Sequence, residues 1–419
     1  MGVDEVPLSA EDRAILALEC DTIVGHTCKV IRVGPGAPDI AALRDSIAAR
    51  IDRAPPLTRR LDDAGAGTSW VPDRAFEVRN HVSELRPDRP LDAAGLSAAV
   101  AALFAQRLDR ERPLWQLDVA RLDDGGAAMI WRIHHAIADG TTCVRLAHAL
   151  LWDPTEAATA PAPHEHGAGR ADDEARRRAH LARFVKREFA RSRGSSPFDG
   201  RIGRRREVGF ATASMRELHD AAKRLGHATL NDAVLAVVAG ALRRWLESAH
   251  GELRDLRVKV PVSLHHECDD AGNRDSFFAL SLPIAERDPA ARLRAIQAQT
   301  AVRKAEHDAE EMDELLRELG RASPRLERFA EQVERGPRRF ALNVSNVPGP
   351  RSRVSVLGAS VSGMHSLAEV GERHALRVAV ISYGGDLCFG FCADPGIVHH
   401  LDVLVAGTEL EAAALVAAG

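Results

Sequence analysis

Hydrophobic and polar positions along this chain follow two different periods, and the change of period marks the elements. AAMIWRI (Ala127–Ile133) is apolar at almost every position and reads as a buried strand. It runs straight into a polar turn, HHAIADG, His134–Gly140. Apolar residues then return at helical spacing in TTCVRLAHALLW, with Val144, Ala147, Leu150 and Leu151 on one side. Strand, polar turn and helix thus follow one another without a gap.

The same reading extends to both sides. LSAEDRAILALE predicts a short helix capped by Ser9, with Asp12 at the third helical position. CKVIRV predicts a strand, DIAALRDSIAARI a helix with Ile40, Leu43, Ile47 and Ile51 on one face, LSAAVAALFAQRL a helix, and LWQLDVARL a strand. Further on, EVGFATA, LRVKVPVSL, FALSLPI, FALNVSNVP, LRVAVISY and LCFGFCA predict strands. ATLNDAVLAVVAGALRRWLES predicts a long helix, with Thr229 and Asp232 placed for a reciprocal cap. ARLRAIQAQTAVRKAEHDAEEMDELLREL predicts a long charged helix or helix pair. The fold class is α/β, mixed α+β, with no short-period repeat.

Between the two blocks lies DPTEAATAPAPHEHGAG, rich in Pro, Ala and Gly, followed by the basic stretch Arg170–Arg193. This divides the chain into an N-terminal domain (1–152), a linker with a basic helix (153–206) and a C-terminal domain (207–419). Two α/β layers facing each other across a cleft fit this pattern. Hydrophobic content of 45% and charged content of 28% describe a globular protein, and a net charge of −4 leaves no nucleic-acid footprint. No apolar run reaches the length of a bilayer span, and the first residues lack the basic start and apolar core of a signal peptide, so the expectation is cytoplasmic.

The chemistry concentrates in HHAIADG. An imidazole near its ordinary pKa, held in one orientation at the end of a strand, suits a general base. A carboxylate can anchor the loop, and a glycine permits close approach. Taken alone, the motif also fits two satisfied histidines at a strand end. The six cysteines are scattered, and Cys388 and Cys392 share one strand face, so buried free thiols are expected. Cys143 reads as a packed helix thiol. HHECDD (His265–Asp270) reads as a polar loop and not a metal site; the metal expectation is none. HHLD at His399 reads as a helix start, and the acidic run EHDAEEMDELLREL as a solvated helix face.

The ordered set LSAEDRAILALE, RPLW, HHAIADG, SPFDGRIGRRREVGFA, TLNDAVLAVVAGAL, VPVSL, GNRDSFFALSLPI and NVSNVPGP resembles the bacterial wax ester synthase/diacylglycerol acyltransferase family, from about Leu8 to the C-terminus. That family sits in the CoA-dependent acyltransferase superfamily that carries HHxxxDG. The resemblance implies two chloramphenicol-acetyltransferase-like domains with a substrate tunnel between them. It implies an O-acyltransferase that moves a fatty acyl group from acyl-CoA to a long-chain alcohol or diacylglycerol, directly in a ternary complex. His135 would be the base, His134 its support, Asp139 a loop anchor paired with a basic residue, and Gly140 a space at the tunnel wall. Asn231 would donate to the tetrahedral oxyanion; the bland alternative is that Asn231 and Asp232 merely start a helix. Trp115, Pro261, Ser263, Asn273 and Asn346 would shape the tunnel. Acyl-CoA enters as co-substrate, with no bound cofactor. No G-x-S-x-G elbow occurs; GASVSG at Gly358–Gly363 misses it.

Within RRRAHLARFVKREFARSRG, Leu181, Phe184, Val185 and Phe189 recur at helical spacing among basic residues. Residues 176–193 therefore fit a peripheral contact with a membrane or lipid droplet, or a linker helix packed across the domains. Two alternatives in function stand beside the leading one. One is an acyltransferase or condensation-type enzyme acting on a small secondary metabolite or amine. The other is a non-catalytic acyl-CoA or lipid-binding protein on the same fold.

Overall fold

The structure is a computed structural model, and it describes residues 5–62, 69–154, 196–249, 253–263, 275–305 and 340–419. In chain order these form β1 (Val6–Pro7), α1 (Ala10–Leu16), β2 (His26–Val33), α2 (Ile40–Ala48), β3 (Arg59–Leu61), β4 (Ser69–Pro72), β5 (Val82–Glu84), α3 (Ala93–Phe104), β6 (Trp115–Arg121), β7 (Ala127–His134) and α4 (Gly140–Leu150). Beyond residue 195 come β8 (Glu207–Ser214), α5 (Met215–Arg224), α6 (Leu230–Ala249), β9 (Leu256–Ser263), β10 (Asp275–Leu282), α7 (Pro289–Ala305), β11 (Leu342–Pro348), β12 (Ser355–Val356), β13 (Ala359–Ala368), β14 (Leu376–Tyr383), β15 (Asp386–Ala393) and α8 (Leu401–Ala418).

Local chemistry explains where the helices begin. Ser9 Oγ takes the Asp12 N–H at 2.9 Å while Asp12 returns to the Ser9 N–H, the reciprocal cap read from the sequence. Asp39, Asp92 and Asp139 cap α2, α3 and α4 with side-chain oxygens on N3 amides. Thr229 and Asp232 cap α6 reciprocally. Helix α6 is apolar around most of its circumference, so it is buried along most of its length. His399 and His400 do precede a helix, α8.

Two six-stranded sheets carry the fold, in the orders β12-β13-β2-β7-β6-β5 and β10-β9-β11-β14-β15-β8. The first sheet draws strands from both halves of the chain. Strands β12 and β13, from the C-terminal half of the chain, complete the sheet of the N-terminal half: β13 pairs antiparallel with β2 from Ala368↔Thr27 to Val361↔Val33. GASVSG, which carries no nucleophile elbow, runs into this strand, β13 starting at Ala359.

The exchange ties the halves together. Gly390 on β15 lies so close to β13 that a Cβ there would sit 2.0 Å from Ser366 O. Tyr383 of β14 donates its hydroxyl to Val361 O at 2.9 Å. Neither large core is confined to one half. One joins α6 and the second sheet to Cys28, Val30, Ala128 and Ile130 of the first. The other packs α2 and α4 on the opposite face of the first sheet and reaches Ile381, Tyr383 and Cys388 of the second.

The second sheet has an interruption. β9 and β11 pair in parallel only at Leu342↔Val258 and Asn343↔Lys259. Beyond that, β9 continues with β10 to Ser263, and β11 continues with β14 to Pro348. The ladder between β9 and β11 therefore ends midway.

Candidate active site

Strand β7 ends at His134, a turn follows, and Asp139 caps α4, so HHAIADG occupies a fixed corner between strand and helix. His134 is fully buried. Its Nδ1 accepts the Ala136 N–H at 3.1 Å, and its Nε2 lies 2.6 Å from Glu19 Oε1. A ring nitrogen that accepts is bare, so the network assigns the proton to Nε2, which donates to the carboxylate. Glu19 is also bridged by Arg110 at 2.8 Å. Burial works to raise the Glu19 pKa, but the His134 hydrogen bond and the charge and hydrogen bonds of Arg110 bring it below the ordinary carboxylate value.

His135 stands differently. Its backbone N–H donates to Gly25 O at 2.8 Å. Its pKa falls from 6.5 to about 4, first through burial and next through the charge of Arg377 on β14. A hydrogen bond to its own backbone and the charge of Asp139 work the other way. The imidazole is thus neutral at physiological pH, with one cation opposing its protonation and one carboxylate favouring it.

Asp139 is fully buried, and its Oδ1 accepts the Thr142 N–H at 2.6 Å. Its charge also reaches Lys29, a buried cation on β2 whose Nζ donates to Ser366 Oγ at 2.6 Å. Burial lowers the Lys29 pKa, and the charge of Asp139 is among those that raise it. Gly140 faces the other half of the chain, where a Cβ would come 2.8 Å from Val347 Cγ2 on β11.

Alternation along β11 sorts the remaining residues. Leu342 and Val344 face the core containing α6. Asn346 follows on that face, with its Nδ2 3.5 Å from Asn231 Oδ1 at the start of α6. Asn343, Ser345 and Val347 face the opposite way, toward the N-terminal half, as do Arg377 and Ile381 on paired β14. The structure brings Asn231 and Asn346 together, but on the side of the sheet away from HHAIADG.

Trp115 is 2% exposed, donates its indole N–H to Leu57 O at 2.8 Å and stacks on His81 with centroids 4.6 Å apart. Pro261 lies half-buried on β9 opposite Phe277, and Ser263 ends that strand opposite Asp275. Asn273, the stretch 176–193, HHECDD and the acidic run 306–319 lie outside the described residues. Burial raises the Cys143 thiol to about 12, and its Sγ lies 3.9 Å from Ala138 O, so it holds no ready thiolate. Cys28, Cys143, Cys388 and Cys392 are buried free thiols. Among the described residues, no group of three or more His, Cys, Asp or Glu side chains is placed to hold a metal ion. Nor is any helix there long and apolar enough to cross a membrane.

Glu19, Gly25, Lys29, Arg377 and Val347 all act on the loop, and sequence reading named none of them. Glu19 and Val347 lie inside the ordered motifs, but Lys29 and Arg377 fall outside them. Glu19 sits 115 positions from His134, and no periodicity links them.

Two family models match the chain: the wax ester synthase/diacylglycerol acyltransferase catalytic domain over residues 8–187, and the WS/DGAT C-terminal domain over residues 271–415. Two proteins of Mycobacterium tuberculosis strain H37Rv named as diacylglycerol O-acyltransferases are each 28% identical. One aligns over 94% of this chain and 87% of its own length; the other, tgs1, over 92% and 89%. Among solved structures, the wax ester synthase/diacylglycerol acyltransferase from Marinobacter aquaeolei VT8 superposes with a TM-score of 0.69 at 23% identity, covering 98% of each chain. The starter condensation domain of rhizomide synthetase RzmA, in complex with C8-CoA and Leu-SNAC, superposes at 0.61 with 18% identity, covering 98% of this chain and 94% of that one. At these identities the two structures establish a shared fold.

Proposed function

The chain belongs to the wax ester synthase/diacylglycerol acyltransferase family, and from that membership we propose how its residues carry out acyl transfer. The protein is an acyl-CoA-dependent acyltransferase of wax ester and triacylglycerol synthesis. His135, neutral at physiological pH, takes the proton of an acceptor hydroxyl. The freed oxygen attacks the thioester carbonyl of acyl-CoA. The tetrahedral intermediate collapses, the C–S bond breaks, and the imidazolium returns its proton to the departing thiolate. No acyl-enzyme is needed, and the Cys143 thiol is no candidate for one.

The observation that carries this reading is the fixed corner that holds His135, its backbone N–H on Gly25 O and the loop capped by Asp139, with burial first and the charge of Arg377 next keeping its imidazole neutral. Asp139 favours the imidazolium that forms as the proton moves, while Arg377 keeps the resting base unprotonated. Between Arg377 and the Val347–Gly140 contact, the facing strands carry only the small residues Ser345 and Ala379. We place the reacting carbonyl there. Ser345 Oγ lies 3.5 Å from Val378 O, a long bond that a developing oxyanion can replace. Asn231, Asn346 and Pro261 flank the point where β9 and β11 stop pairing, and they border the substrate passage in this reading. Residues 176–193 supply a basic amphipathic contact with a lipid surface; equal flotation on liposomes by the Phe184→Ala/Phe189→Ala variant would remove that role.

The test is thiol release from palmitoyl-CoA with a panel of hexadecanol, a diacylglycerol, a short alcohol and a long-chain amine. Ester products with the first two acceptors, lost in a folded His135→Ala variant, are expected. A folded His135→Ala protein that still forms ester at the wild-type rate would end the assignment of the base. Preference for the amine would move the enzyme to the condensation-type alternative.

A further inference from the structure

Both histidines of HHAIADG are held by one short segment, Glu19–Gly25, between α1 and β2. Helix α1 ends at Leu16, earlier than the apolar pattern predicts, and the chain turns. Glu19 is carried inward, where its side chain is 6% exposed and accepts the His134 Nε2–H. Gly25, at the other end, accepts the His135 N–H on its carbonyl. Gly25 has φ +71°, and a Cβ there would come 2.5 Å from His134 Nε2. The absence of a side chain at Gly25 is what lets the imidazole reach Glu19. Arg110, itself 47% exposed, grips the second Glu19 oxygen through Nε at 3.1 Å and Nη2 at 2.8 Å.

The consequence is a chain of directional bonds. Arg110 orients Glu19, Glu19 accepts from His134 Nε2, and the bare His134 Nδ1 takes the Ala136 N–H. That last bond spans His135. Were His134 to carry its proton on Nδ1, two donors would face each other at Ala136 and the turn would open. We propose that Glu19 is a positioning residue for acyl transfer: by accepting the His134 Nε2–H it sets the tautomer, and so the turn, that presents His135 to the acceptor hydroxyl. The requirement is for an acceptor at this point, not for a charge. This rests on His135 being the base.

The experiment compares kcat and KM for Glu19→Gln, Glu19→Met, His134→Asn and the Glu19→Met/His134→Asn double variant, with His135→Ala alongside and folding checked by thermal melting. Glutamine keeps an acceptor oxygen; methionine keeps the volume without one. Glu19→Met is expected to lose about tenfold or more in kcat with KM within about twofold, as misplacing a base does. Glu19→Gln is expected to stay within about threefold of wild type. In the His134→Asn background, Glu19→Met should add little, because it acts through His134. A folded Glu19→Met enzyme with wild-type kcat overturns the proposal. So does a loss in Glu19→Gln equal to that in Glu19→Met, which would make charge the requirement. Should Glu19→Met fail to fold, Glu19→Gln decides: about a tenfold loss in kcat overturns the proposal, and near-wild-type kcat supports it. An active His135→Ala would instead overturn the base assignment itself, independently of Glu19.

Discussion

Gly140 of the HHAIADG loop and Val347 of β11 meet across the two halves of the chain, with no room between them for even a methyl group. This contact sets how far the loop stands from the opposite sheet, and in the proposed reading the depth of the space offered to the thioester. Replacing Gly140 by Ala forces the two apart or strains the first turn of α4, at about 1–3 kcal/mol for an overpacked contact. We expect Gly140→Ala to lose most of its activity and to melt earlier. Gly140→Ala/Val347→Ala should recover part of both. A double variant no better than Gly140→Ala, in melting and in rate, would show that the contact does not govern the spacing.

The acid limb of kcat/KM should report the base. Its pKa of about 4 leaves the free enzyme active down to mildly acid pH, with the rate falling as pH drops through that value. Arg377 lowers that pKa, so Arg377→Gln should move the limb to higher pH and cut activity at pH 5 more than at pH 8. A pH profile of the variant that superimposes on the wild type would dissociate Arg377 from His135.

Asp139 has two separable tasks, capping α4 and favouring the imidazolium. Asp139→Asn keeps a capping oxygen and removes the charge. It should melt near wild type, yet turn over more slowly, with its acid limb displaced to lower pH. Asp139→Ala should in addition lose about 1 kcal/mol for the missing cap. Equal turnover in the Asn variant and wild type would leave Asp139 with the cap alone.

Ser345 is the hydroxyl on the face of β11 that looks toward the loop. Removing a single oxyanion donor typically costs about 100-fold or more in kcat. Ser345→Ala should fall in that direction with KM for palmitoyl-CoA little changed, while Asn231→Ala should affect KM more than kcat. The reverse pattern would return the oxyanion role to Asn231.

Stability should decline on mild acidification. Burial lowers the pKa values of His135 and His365 to about 4, and that of His26 well below its ordinary value. Unfolded histidines titrate near about 6.5. Between about pH 6.5 and pH 4 the unfolded chain therefore binds more protons, and stability is lost as pH falls through that window. Urea midpoints should drop from pH 7.5 to pH 5, and His365→Gln should shallow the slope. A midpoint independent of pH over this range would contradict the buried, neutral histidines.

Much of this protein is legible from the chain alone, because periodicity and caps are local. A run such as AAMIWRI can only be a buried strand or a buried helix segment, and Ser9 with Asp12 and Thr229 with Asp232 mark helix starts that the structure keeps. The order of short motifs also sufficed to indicate the family. What tertiary structure alone decided lies in contacts between distant residues. Strand β13 joins the first sheet through partners more than 300 positions away, as between Lys29 and Ser366, 337 residues apart. Asn231 meets Asn346, 115 residues away, and Trp115 stacks on His81, contacts that no local pattern announces. The pKa of His135 is a sum of burial, one cation from β14 and one carboxylate from its own loop. Electrostatic and steric terms act through space, and the chain order that encodes a helix or a cap carries no record of which residues will face each other.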